Sequence, residues 1–88
     1  MRTKYKPWAK PYIEEHTEVM CPFDHINNYK NYYLEIGSGK GQFLVNMAKN
    51  HPDNFFIGME RNVTCAGFTA KKLVEGEITN AKLIYADA

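Results

Sequence analysis

The sequence predicts an α/β fold. It reads as the N-terminal half of a doubly wound sheet, with three parallel strands in the order 3-2-1 and two helices, preceded by an irregular basic arm over residues 1–30. Three observations predict it. Short apolar runs recur at residues 32–36, 54–60 and 82–86, and an acid lies at the end of each. Between them lie two segments whose apolar residues recur at helical spacing. The first run ends in a turn with glycines at 37, 39 and 41 that feeds directly into the first of those helices.

The 88 residues are one small domain at most, and too few for a whole doubly wound enzyme. Apolar content of 44% and charged content of 24% exclude a disordered chain. The net charge of +1 says less than its distribution. Arg2, Lys4, Lys6 and Lys10 crowd the first twelve residues with no acid among them, and Glu14, Glu15, Glu18 and Asp24 follow. Such a leader suits contact with phosphate, although composition by itself favours a solvated terminus. Cys21 and Cys65 lack metal-ligand spacing and read as free thiols in a reducing compartment. There is no cleavable apolar leader and no run of membrane-spanning length, so the expected location is cytoplasmic.

In the arm, Pro7, Pro11 and Pro22 break regular structure and Asn27-Asn28 continues the loop signal. A short helix over residues 12–19 fits there, too short to stand alone. The arm should lie on another part of the molecule. The strand at 32–36 begins the folded unit, residues 31–88. Residues 41–50 form a helix with Phe43, Leu44, Met47 and Ala48 on one face. Pro52-Asp53 breaks the chain before the strand at 54–60. A helix over 62–74 follows, with Asn62 or Thr64 as its cap and Gly76 as its stop. The strand at 82–86 ends at Asp87. Near-continuous apolar strands alternating with helices argue a parallel sheet covered on both faces.

Glu35, Glu60 and Asp87 thus sit at the C-terminal ends of the three strands, where open α/β sheets bind ligands. The glycine turn presents backbone N–H groups at the same end. Gln42 stands where a dinucleotide fingerprint needs its last glycine, which excludes that site. Lys40 does not complete a P-loop, and its role is open. His16, His25 and His51 show no metal-ligand spacing, so no metal is expected. Tyr29, Tyr32 and Tyr33 suit strand packing better than base stacking.

Glu35-Ile-Gly37-Ser-Gly39-Lys-Gly41 resembles the first motif of the S-adenosylmethionine methyltransferases. The likeness narrows with Lys6-Pro-Trp-Ala9, the extension Gly39-Lys-Gly-Gln-Phe43, Met47-Ala-Lys-Asn-His-Pro-Asp53, Phe56-Ile-Gly-Met-Glu60 and Asn80-Ala-Lys-Leu-Ile-Tyr-Ala-Asp-Ala88. In that order, over nearly the whole chain, these resemble the bacterial tRNA (guanine-N7-)-methyltransferases. The resemblance implies a Rossmann-like domain that binds S-adenosylmethionine and moves its methyl group to N7 of a guanine in the tRNA variable region. It implies cofactor contacts from Glu35, Glu60 and Asp87, with Gly37 against the methionine moiety and the Ala88 backbone near the adenine. Glu60 suits the two ribose hydroxyls, and acids offset the sulfonium and ammonium charges. The arm with Trp8 resembles the segment that lies near tRNA in that family.

The family's Asp-Pro-Trp-Pro-Lys stretch, with the aspartate held to be catalytic, is absent, so no catalytic residue is assigned. The chain therefore reads as the N-terminal part of such an enzyme, truncated after the third strand and inactive alone. The competing readings are another S-adenosylmethionine-dependent methyltransferase and a non-catalytic binding half-domain.

Overall fold

The computed structural model describes residues 4–20, 29–37 and 39–85. Helix α1 (Ala9–Glu15) and a 3-10 turn (Thr17–Val19) precede strand β1 (Asn31–Ile36). Then come α2 (Gln42–Asn50), β2 (Asn54–Glu60), α3 (Val63–Glu75) and β3 (Ala81–Tyr85). The sheet runs β1-β2-β3 and both pairings are parallel, which is the expected order 3-2-1 read from the other edge. Tyr33 lies opposite Phe56, and Phe56 opposite Ala81.

Side chains alternate between faces along a strand, and this register sorts them. Phe56, Ala81 and Leu83 join Leu44, Val45 and Ala48 of α2 and Ala66, Ala70 and Leu73 of α3 in one buried cluster. Both crossover helices therefore cover the same face. The expectation of cover on both faces fails among the described residues. Strands that step steadily in one direction return their crossovers to one side. The other face carries Leu34 and Ile36, 56% and 75% exposed. Tyr29 and Tyr32 pack there on Phe55, with ring centroids 5.0 and 6.2 Å away, and Tyr33 stacks on Phe56 at 5.3 Å on the helical face. The three tyrosines therefore pack on the sheet.

The arm is more ordered than its prolines suggest. Its helix starts at Ala9, three residues before the expected start, and the 3-10 turn takes the place of its last residues. Pro11 is tolerated because it lies in the first turn, where no N–H has an intrahelical partner. Ala9 and Ile13 are buried one turn apart, and both face inward. Helix α1 packs on α3 at Gly67, where an added Cβ would stand 2.4 Å from Ala9 Cβ and 2.8 Å from Ala9 Cα. Sequence reading passed over Gly67, because a glycine inside a helix signals nothing until its neighbour is known. We expect Gly67→Ala to push α1 away and to cost about 1–3 kcal/mol, an overpacking effect. Trp8 fluorescence should report the undocking, since its ring meets Phe68 edge-on at 5.2 Å.

Asn62 caps α3, its side-chain oxygen accepting from the Cys65 N–H at 3.0 Å. Gly76 ends α3 as expected but in right-handed conformation; the left-handed residue is Glu77, at φ +51°.

Candidate functional site

The turn between β1 and α2 is built on left-handed glycines. Gly37, Gly39 and Gly41 have φ of +74°, +61° and +84°. They differ in surroundings. Beside Gly37 and Gly39 a Cβ would meet no described residue within 4 Å, which leaves open space against the backbone among the described residues. At Gly41 it would strike Thr69 of α3, at 2.8 Å from its side chain and 2.9 Å from its Cα. Gly41 therefore lets α2 begin against α3, while Gly37 and Gly39 keep the outer side of the turn clear. The Thr69 hydroxyl lies 3.2 Å from the Gly39 carbonyl oxygen and 2.9 Å from that of Cys65, tying the turn to α3.

Glu60 closes the arrangement from the end of β2. One carboxylate oxygen accepts from the Gly39 N–H at 2.8 Å, and the other from the N–H groups of Arg61 and Asn62 at 3.0 and 3.1 Å. Glu60 thus joins the glycine turn to the turn that opens α3, two loops 21 residues apart at the Gly39–Glu60 bond. Three backbone donors take three of about four lone-pair positions of a carboxylate. Sequence reading placed Glu60 at the ligand end of the sheet but did not foresee this bracing.

Glu35 is half-buried near the end of β1, opposite Gly58 of β2. Its Oε1 is the one buried side-chain polar atom without a hydrogen-bond partner among the described residues. Burial raises its pKa above the ordinary glutamate value. The side chain borders a cleft of about 320 Å³ between β1 and α2, lined otherwise by Tyr33, Leu34, Phe43, Met47 and their neighbours. That cleft is mostly apolar and lies under the exposed strand edge, and Glu35 is the ionisable carboxyl among its lining residues. A raised carboxyl pKa means that the folded chain holds a proton more tightly than the unfolded one. Between the two pKa values stability falls as pH rises, and below them this penalty disappears. We expect Glu35→Gln to raise the melting temperature slightly at pH 7 and to leave it unchanged at pH 3, as followed by circular dichroism.

The structure thus brings Glu35, Gly37 and Glu60 to one end of the sheet. Asp87 and Ala88 lie outside the described residues, as do Arg2, Cys21 and His25. The described part of the arm reaches this end, where the Lys6 N–H donates to Thr64 Oγ1 at 3.0 Å on the first turn of α3. Among the described residues no group of three or more His, Cys, Asp or Glu is placed to hold a metal ion. No helix there is long and apolar enough to cross a membrane.

Comparison with known proteins adds the following. A family model described as "putative methyltransferase" matches residues 29–88. A tRNA (guanine-N(7)-)-methyltransferase of Lactobacillus delbrueckii subsp. bulgaricus is 41% identical across the whole chain, which spans 45% of that relative. One of Limosilactobacillus reuteri is 40% identical over 99% of the chain and 45% of the relative. The chain thus spans about half the length of the curated relatives it matches. Among solved structures, an antibiotic-related methyltransferase aligns over 83% of this chain and 36% of its own, with TM-score 0.63 and 21% identity. Coclaurine N-methyltransferase, solved with N-methylheliamine and S-adenosylhomocysteine (SAH), aligns over 91% and 21%, with TM-score 0.60 and 15% identity. At those identities the two structures share the fold alone.

Proposed function

We propose, since this chain belongs to that methyltransferase family, that it is the cofactor-binding part of an S-adenosylmethionine-dependent tRNA (guanine-N7-)-methyltransferase. Residues 31–88 are then the cofactor-binding unit and residues 1–30 the basic arm, in a cytoplasmic protein that acts on tRNA. The observation that carries the reading is the 41% identity across the whole chain to a protein of that name. The glycine turn with its two acids supports it from the structure.

Features of the structure support cofactor binding by these residues. The unpartnered oxygen of Glu35 suits a cation, and S-adenosylmethionine carries an ammonium and a sulfonium. The clear space beside Gly37 admits a ligand against the backbone. Glu60 would hold one ribose hydroxyl with its remaining acceptor position, while its bonds to three backbone N–H groups keep the turn in place. Asp87 would complete the set. When bound, the cofactor supplies an electrophilic methyl group. Guanine N7 already carries a nucleophilic lone pair, so orientation matters more than base catalysis. In this chain Glu35, Gly37 and Glu60 orient the donor, and much of the acceptor side lies with other parts of the whole enzyme.

The test joins this chain to the part of the Lactobacillus delbrueckii relative that it does not match. The joined protein should methylate unmodified tRNA at guanine N7, and the 88-residue chain should not. Efficient methylation by the chain alone, or none by a folded joined protein, would overturn the reading.

A further inference from the structure

Lys40, which the glycine motif leaves without a role, belongs to a row of cations and rings on the α1–α3 side of the turn. Its Nζ lies 5.2 Å from the centroid of the Phe68 ring. Phe68 meets Trp8 edge-on at 5.2 Å, and Lys71 Nζ lies 5.3 Å from the Trp8 ring. Lys72 Nζ donates to the Lys40 carbonyl at 2.8 Å, which fixes the backbone from which Lys40 extends. The arm brings Lys10, exposed on α1, to the same helix pair. Among the described residues the one ion pair is His16 with Glu18, so no described carboxylate lies within 4 Å of any of these lysine ammonium groups.

We propose that Lys40 and Lys71 are a phosphate-binding pair that docks the RNA backbone on the α1–α3 face, an inference that rests on the tRNA reading above. A ring face attracts an ammonium and restricts where it goes, yet leaves N–H donors for an outside acceptor. Cations held in this way, with no described carboxylate in ion-pair contact, suit a polyanion. Trp8 and Phe68 are packed against each other, so their faces serve the lysines and not RNA bases. The contact therefore positions the RNA without reading its sequence. It also places the RNA beside the glycine turn, since Lys40 is part of that turn.

The test is a titration of fluorescently labelled tRNA transcript with the 88-residue chain between 50 and 200 mM salt, the range where phosphate contacts reveal themselves. Lys40→Gln and Lys71→Gln should each reduce the slope of log affinity against log salt by about 0.9, the value for one duplex phosphate. Lys71→Arg should keep the slope, as should Lys49→Gln on α2. An unchanged slope in the Lys40→Gln, Lys71→Gln double variant overturns the inference. So does a chain that binds SAH in calorimetry but retains no tRNA. In both cases the cofactor reading is judged separately, by SAH binding to the unsubstituted chain in calorimetry. A chain that binds neither SAH nor tRNA overturns both.

Discussion

Replacing Gly41 with alanine is expected to abolish the cooperative unfolding transition of the chain, or to move it to far lower urea. Two costs combine. A non-glycine residue at φ +84° carries left-handed strain of roughly 1–2 kcal/mol. The new Cβ would also sit 2.9 Å from Thr69 Cα, and a helix backbone cannot yield there as a flexible side chain can. Overpacking of that kind adds roughly 1–3 kcal/mol. The sum rivals the stability available to a domain of this size, which lies near the low end of about 5–15 kcal/mol. Gly37→Ala and Gly39→Ala provide the contrast, since they carry the strain without the collision. Equal destabilisation at all three positions would show that Gly41 has no special packing role.

Asn80 should give the second large effect. It is 8% exposed, and its side-chain NH2 lies within hydrogen-bond distance of the carbonyl oxygens of Ala48, His51 and Asn54, at 2.8, 3.2 and 3.1 Å. The Asn80 backbone carbonyl accepts from the Phe56 N–H at 2.9 Å. One side chain thus ties the end of α2, the break at Pro52 and the start of β2 to the start of β3. Two N–H donors serve three acceptors, so one donor is shared. Asn80→Ala takes that donor from all three carbonyls, of which that of His51 still accepts the Asn54 N–H at 3.1 Å, and should cost about 2–4 kcal/mol on the scale of roughly 1–3 kcal/mol per buried orphan. Asn31→Ala removes an exposed side-chain pair with Asn54 and should cost less than about 0.5 kcal/mol. Urea melts of the two variants compare them, and a similar loss in both would contradict the assignment.

Asn80 also shows where sequence reading stopped. A lone Asn before a strand looks like any turn residue, because its value lies in three carbonyls 26 to 32 residues away. Gly67 was illegible for the same reason, its partner Ala9 lying on the arm. The strands, both crossover helices and the sheet order were legible, because each element carries its own apolar period and the connections leave few topologies. Legible too was the gathering of Glu35, Gly37 and Glu60 at one end, which follows from strand direction alone. What Glu60 does there was not. Its bonds to Gly39, Arg61 and Asn62 depend on loop conformations that no periodicity encodes. The arm was misread in part, because prolines mark a break only outside the first turn of a helix.

The most direct test of the central claim is a calorimetric titration of SAH into the 88-residue chain, with Glu60→Ala beside it. The account predicts saturable one-site binding that the substitution removes, since it takes away both a ligand acceptor and the brace on the glycine turn. Absence of binding to a folded chain, or equal binding by Glu60→Ala, would contradict a cofactor crevice built on the glycine turn and Glu60.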